Sequence, residues 1–517
     1  MEALPLVNAA TATAVRNHRP AKSIAVRIGG FRRIKLCPFT ARTRSRSWRP
    51  RAALIASRKS GKKPAAAALC RPPLSGFSGV ASMPPPLRIG IAGLGTVGAA
   101  VITLLGRQAE ALRRRTGRQI AIAGISACQR EKQRGIDLAR FAWFDDCVAL
   151  ARSPGIDLFV ELIGGEEGAA LAAAEAALHA GKSFVTANKA LLAKHGMRLA
   201  AQAEEKGAAL AFEASVAGGI PIVKTLREGL AGNSIERIYG ILNGTCNYIL
   251  TRMESESLTF AQCLGEAQRL GYAEADPAFD IGGFDTAHKL AILTSLAFGT
   301  VIDPVAIAIE GIESITLADL EAAAELGYRV KLLGVAQRTP FGIEQRVHPT
   351  MVPKSTAIAQ VRGVTNAVTI DADAVRELTL VGPGAGGEAT ASAIVADIAD
   401  IARGVRSAPF GWPVAALVPA PRAPMQMHEG GYYIRLSVFD RPGAAAAIAT
   451  RMAERGISLE SIVQRQRPGA KIGPDGAVPV VLITHATHEK SVRQALEAAV
   501  ADGFLAEKPQ VIRIERE

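Results

Sequence analysis

The stretch LRIGIAGLGTVGAAVITLLGRQ, residues 87–108, decides the fold. Residues 87–93 are a short apolar run of the kind that makes a buried strand, and 99–115 repeat apolar residues at helical spacing. Between them stands Gly93-Leu94-Gly95-Thr96-Val97-Gly98, a G-x-G-x-x-G with a strand before it and a helix after it. Gly93 permits the tight turn, Gly95 lets the backbone approach a pyrophosphate, and Gly98 allows close helix–strand packing, while the N–H groups of the helix start face an anion. A plain strand–helix turn would share the glycines. With both flanks in place the stretch reads as a dinucleotide site opening a doubly wound α/β domain.

More units of this kind follow. Residues 119–126, QIAIAGIS, form the second strand, whose end should meet the adenosine ribose. An NAD-preferring site wants an acid there, but the chain continues Ala127-Cys128-Gln129-Arg130. Arg130 fits a 2′-phosphate and so favours NADP over NAD, unless it is an ordinary solvated loop residue. Strands are expected at 157–165 and 183–187, the latter delivering Asn188 and Lys189 at the sheet edge where ligands sit. Residues 208–214 are the next expected strand, and SVAGGIP after it should expose backbone carbonyls able to hold a cation or a ligand.

From residue 222 the character changes to an α+β pattern. A strand at 234–242 ends in Asn243-Gly244-Thr245-Cys246-Asn247-Tyr248, and helices are expected at 247–254 and 260–270. Then comes GYAEADPAFDIGGFDTAHK, residues 271–289. Asp-Pro and Gly-Gly break its first part into a loop. From Phe284 the pattern is helical and places Asp285 and Lys289 four apart on one face. Alone, this would read as a solvated acidic loop and a surface ion pair. Strands near 329–338, 343–349 and 367–371 precede a second glycine-rich turn, 382–387, and a helix at 388–403.

Residues 408–430 are proline-rich and read as a linker. Residues 431–517 show the order β-α-β-β-α-β of a ferredoxin-like domain. The expected division is therefore a leader at 1–86, a Rossmann domain at 87–221 completed by about 382–407, a catalytic domain at 222–381, the linker, and the C-terminal domain.

Composition narrows the partners. The 517 residues carry a net charge of +14, but residues 1–86 hold seventeen Lys and Arg and one acid, Glu2. That leaves the remaining 431 residues at −2 and removes any argument for nucleic-acid binding by the body. The leader, rich in Arg, Ala, Ser and Pro, is too polar to bury itself and reads as a disordered extension. It is read as an over-extended start with Met83 as initiator, against a transit peptide or a basic arm. No segment offers the run of about 20 apolar residues that a membrane helix needs. The six cysteines lack metal-like spacing and read as reduced cytoplasmic thiols. Organelle targeting would follow only from a genuine transit peptide.

Taken together, GLGTVG at 93–98, TANK at 186–189, EASVAGGIP at 213–221, NGTCNYI at 243–249, GYAEADPAFDIGGFDTAHK at 271–289, GPGAGG at 382–387 and DRPG at 440–443 resemble the homoserine dehydrogenase family in its monofunctional form with a C-terminal ACT domain. The resemblance covers about 87–510. It implies NAD(P)-dependent interconversion of L-homoserine and L-aspartate 4-semialdehyde, in threonine, methionine and isoleucine biosynthesis. It implies that Gly93, Gly95, Thr96, Val97 and Gly98 cradle the dinucleotide and that Gly384 returns near it. Lys189 would lie between nicotinamide and substrate, Glu274 would bind the substrate ammonium, Asp285 would orient the substrate, and Lys289 would be the general acid/base. Glu213, Val216, Gly218 and Ile220 match a monovalent-cation site, sodium by expectation. Asp276 and Asp280 are read as loop-shaping.

The chemistry is coherent with these roles. Alcohol oxidation needs a group to take the hydroxyl proton, and a lysine amine serves when burial or a second cation favours its neutral form. Cys246 departs from the threonine expected there and opens an alternative, an acylating aspartate-semialdehyde-type dehydrogenase with a thiolate nucleophile. A non-catalytic amino-acid sensor is the other alternative. The ACT domain implies allosteric control, with threonine the expected effector, and a homodimer or homotetramer.

Overall fold

The computed structural model describes residues 84–464 and 476–515; Met83 and the rest of the leader lie outside the described residues. The first sheet is built from β1 Leu87–Ala92, β2 Ile120–Ser126, β3 Ala142–Phe144, β4 Leu158–Glu161, β5 Ser183–Thr186 and β6 Leu210–Ala211. All neighbours are parallel, in the order β3-β2-β1-β4-β5-β6. This is the doubly wound order, with its crevice where the winding reverses between β1 and β4. Ile89, Ile91, Leu158 and Phe159 are fully buried because helices cover both faces. One cover comes from far along the chain: Ile394, Val395 and Ile398 of the helix Gly387–Ala402 share an apolar cluster with Val101, Ile102 and Leu105 of the helix Thr96–Arg107.

Local departures from expectation have local causes. The helix expected over 99–115 is two, Thr96–Arg107 and Ala109–Thr116, parted at Gln108 and stopped by left-handed Gly117. The strand expected over 208–214 shortens to β6, because the Glu213 N–H donates to Asp397 (2.9 Å) instead of a neighbouring strand. The glycine loop expected after it begins as a helical turn, Ala214–Ala217.

Beyond Gly218 the strands are β7 Ile235–Ile241, β8 Ala308–Ile309, β9 Tyr328–Thr339, β10 Gly342–Pro353, β11 Thr365–Ala372 and β12 Arg376–Pro383. The C-terminal strands are β13 Glu429–Phe439, β14 Leu459–Gln464, β15 Ala477–Thr484, β16 Thr487–His488 and β17 Gln510–Ile514. Among the described residues these make one continuous sheet in the order β12-β11-β7-β9-β10-β17-β13-β15-β14, with β8 added on β10 and β16 on β13. The C-terminal part, with helices Ala444–Glu454 and Glu489–Ala501, has the ferredoxin-like order expected of it. It joins the rest through a short parallel pairing, Thr350 with Arg513 and Met351 with Ile514. Residues 408–430 lie on the body: Phe410 is fully buried against Phe212 (ring centroids 5.1 Å apart), and Val418 bridges to Thr300.

Candidate active site

Asp285 is the meeting point. It sits in the first turn of the helix Phe284–Phe298, which starts after left-handed Gly283, and a carboxylate is favoured at that end of a helix. One helical turn on, Lys289 Nζ donates to Asp285 Oδ2 (2.8 Å) and to the Leu242 carbonyl at the end of β7 (2.7 Å). Lys189 Nζ, carried from the edge of the first sheet, lies 3.1 Å from Asp285 Oδ1. One buried carboxylate thus holds two ammonium groups, one from its own helix and one from the start of the helix that follows β5. Burial alone would raise Asp285, but Lys289 and Lys189 outweigh it and hold its carboxyl well below the usual range. Of the two lysines, Lys289 is the more enclosed, its side chain 12% exposed against 34% for Lys189.

Each group is fixed by its own support. Lys189 opens the helix Lys189–Glu205, whose cap Asn188 accepts from the Leu191 N–H (3.1 Å) and donates to the Gly165 carbonyl (2.6 Å). Thr186 donates to Glu161 (2.6 Å), and the other oxygen of Glu161 accepts the Ile163 and Gly164 N–H groups. Glu161 therefore organises the ligand edge of β4 and β5. Its signal in the sequence was an acid ending the otherwise apolar run LFVE.

Asn243 matters more than the sequence reading allowed. Its Oδ1 caps the helix Gly244–Glu256 by accepting from the Cys246 N–H (2.8 Å). Its Nδ2 donates to both Asp280 Oδ1 and Asp285 Oδ2, each at 2.9 Å. Asp280, read as loop-shaping, is thereby linked to Asp285 as well, and burial and the Asp285 charge push its carboxyl up. Glu274 is not in contact with this group. It is exposed, and among the described residues its carboxylate has no partner. Cys246 is fully buried, its Sγ donating to the Asp280 carbonyl (3.2 Å), and burial pushes its thiol well up. A buried thiol of that kind does not supply the thiolate that acyl chemistry needs.

The glycine loop has the shape a pyrophosphate requires. A Cβ on Gly93, whose φ is +94°, would lie 2.2 Å from the Leu162 carbonyl, and one on Gly98 would lie 2.0 Å from the Gly93 carbonyl. A Cβ on Gly95 would meet nothing within 4 Å, so this residue faces the open crevice. Thr96 and Val97 begin the helix, which has no side-chain cap on its first N–H groups. The loop is tied to the ribose end by a residue that sequence reasoning missed. Arg134 donates to the carbonyls of Leu94 (3.0 Å), Lys132 (2.7 Å) and Gln129 (2.5 Å). Arg130, on the loop so held, is exposed with its guanidinium 5.5 Å from the Trp143 ring centre.

The second glycine turn bridges the two halves. Gly387 packs on Thr96, and Gly384 packs on Gly218 and Asn366. Glu213 is buried beside this junction and accepts the Val223 and Lys224 N–H groups, both at 2.9 Å. Burial and Asp397 push its carboxyl up to about 7. The Ile220 carbonyl accepts the Ile222 N–H (2.8 Å). Among the described residues no three His, Cys, Asp or Glu side chains form a metal cluster, so a cation here would rest on carbonyls and Glu213.

Comparison with known proteins agrees over nearly the whole described chain. Residues 93–213 match the homoserine dehydrogenase NAD-binding domain, 221–399 match homoserine dehydrogenase, and 432–501 match the ACT domain. The chain is 46% identical over 422 residues to the homoserine dehydrogenase of Pseudomonas aeruginosa, covering 80% of this chain and 96% of the relative. Its fold matches the crystal structure of a homoserine dehydrogenase from Thiobacillus denitrificans with a TM-score of 0.78 and 42% identity, over 83% of this chain and 98% of that one. It also matches a hyperthermophilic archaeal homoserine dehydrogenase in complex with NADPH, with a TM-score of 0.53 and 28% identity, over 61% and 97%.

Proposed function

Since the chain belongs to the homoserine dehydrogenase family, we propose that the carboxylate of Asp285, shared between Lys189 and Lys289, is its reaction centre. The enzyme is an NAD(P)-dependent oxidoreductase that interconverts L-homoserine and L-aspartate 4-semialdehyde. The bound nicotinamide supplies the hydride chemistry, and the protein supplies placement and the proton. Gly93, Gly95, Thr96, Val97 and Gly98 hold the pyrophosphate, with Gly384 on the turn that closes over the junction.

Lys289 takes the hydroxyl proton as the neutral amine in oxidation and returns it as the ammonium in reduction. Its hydrogen bonds to Asp285 and Leu242 aim Nζ, and Lys189, the more accessible of the two, faces the substrate from the cofactor side. Asp285 orients the substrate and balances both cations. Glu274, exposed and unpartnered among the described residues, takes the substrate ammonium. The exposed Arg130 guanidinium, on the loop after β2, supports a preference for NADP. A sodium ion at the carbonyls of Val216, Gly218 and Ile220 would offset the burial and the Asp397 charge that push the Glu213 carboxyl up, and so help hold it ionised. The ACT domain carries an amino-acid effector, threonine by our reading, and the enzyme works as a cytoplasmic homodimer or homotetramer.

The observation that carries this reading is the Asp285 junction itself. Its test is the rate of L-homoserine oxidation with NADP+ and with NAD+, measured for wild type and Lys289→Ala. The variant should lose about 10²–10⁴-fold in turnover while still binding the reduced cofactor.

A further inference from the structure

The C-terminal domain reaches the substrate loop through Glu310. Arg513 on β17 is buried between two carboxylates. Its Nε and Nη2 donate to Glu489 at 2.8 and 2.7 Å, and its Nη1 and Nη2 donate to Glu310, both at 2.9 Å. Glu489 opens a helix of the C-terminal domain, whereas Glu310 follows β8 beside the substrate loop. Arg493 adds a contact to Glu310 from the rim (3.2 Å).

From Glu310 the path inward is short. The next residue, Gly311, lies so close under the loop that a Cβ would fall 2.4 Å from the Ile281 carbonyl. Ile312 N–H donates to that same carbonyl (2.9 Å). Ile281 stands between Asp280 and Gly282, and Gly283, packed on Val347 and Ile309, leads directly into Asp285. Paired forks of this kind fix direction as well as distance. Close-packed backbone passes a displacement on rather than absorbing it.

We propose that Glu310 is a positioning residue for the loop 280–285, and that the Arg513–Glu310 fork is the contact through which the C-terminal domain sets affinity for the substrate. The proposal rests on the functional reading above. A shift of β17 that opens the fork moves the Ile281 carbonyl and with it Asp280 and Asp285. The glycine loop belongs to the other sheet and is left alone, so the effect falls on substrate and not on cofactor.

The test uses the full chain as wild type, Glu310→Gln, Arg513→Lys, the double variant and Arg493→Ala. Glu310→Gln keeps shape and removes charge; Arg513→Lys keeps charge and removes the fork. Each single variant should raise the KM for L-homoserine about fivefold or more, an ordinary size for coupling between sites, with kcat and cofactor KM within about twofold. The double variant should be no worse than the worse single, because both remove one interaction. Arg493→Ala should stay within about twofold of wild type, as rim pairs do. Unchanged homoserine KM in both single variants overturns the proposal, and so does an equal rise in both KM values with a lower kcat. Hydrogen exchange over residues 278–288 reads the loop without substrate and should be faster in Glu310→Gln. A wild type inactive on homoserine would count against the functional reading alone, and unchanged exchange would still overturn the coupling.

Discussion

At the scale of single residues the glycine loop makes the sharpest contrast. Gly95 and Gly98 are interchangeable as letters of a motif but not as atoms. A methyl on Gly95 meets open crevice, so Gly95→Ala should fold with an unchanged Tm and lose cofactor affinity. A methyl on Gly98 collides with the Gly93 carbonyl, so Gly98→Ala should cost about 1–3 kcal/mol of stability, as overpacking does. Thermal unfolding alongside cofactor titration separates the two. Of the proposed reaction centre, the Asp285–Lys289 pair was legible because helical spacing alone brings it together. Its contact with Lys189 was not, since it depends on how two sheets are set against each other. Glu274 and Asp280 show the same limit: chain proximity put them in one loop, but only Asp280 is joined to the centre through Asn243.

At the scale of elements, the helix Gly244–Glu256 is anchored to β9 by a buried cation. Lys331, 1% exposed, donates to Asn247 Oδ1 (2.9 Å) and to the Val361 carbonyl (2.6 Å), with no carboxylate in contact among the described residues. Burial lowers its ammonium from an ordinary 10.5 to about 8. The folded state then binds fewer protons than the unfolded chain between those values, so stability should rise as pH climbs from about 8 toward 10. Below pH 8 both states are charged and the burial penalty is fully present. Denaturant unfolding at several pH values should show this slope in wild type and a flatter one in Lys331→Met; equal slopes would contradict it. Legibility at this scale followed burial. The apolar strands of the first sheet were plain, whereas β12 was missed. It is an edge strand with Arg376 and Glu377 exposed and Pro383 at its end, where a missing ladder donor costs little. Residues 408–430 read as a linker from their prolines, and only the packing of Phe410 shows how they lie.

At the scale of the whole molecule, the C-terminal domain is sewn to the body by charge as much as by sheet. Asp319 is fully buried and accepts from Arg435 (2.7 Å) and from the Tyr433 hydroxyl (3.1 Å). Arg346, 1% exposed, donates to Glu515 (2.9 Å) and pairs with Glu344, which lies 3.1 Å from His428 Nδ1. Nothing in the sequence announces this seam, because its partners are exposed-looking charges far apart along the chain. Removing one side leaves buried charges unpaired, at about 3–5 kcal/mol for each broken pair, and uncovers an edge of β10. A chain ending at Gly404 should therefore aggregate or unfold well below the full-length Tm. A monodisperse product with an unchanged Tm would show that the seam is dispensable.

Asp285 and its two lysines are the proposed seat of the chemistry. The most direct measurement is the rate of reduced-nicotinamide formation from L-homoserine by Lys289→Ala, with cofactor binding followed on the same preparation. Turnover should fall about 10²–10⁴-fold with cofactor affinity retained. Wild-type turnover in that variant would contradict it.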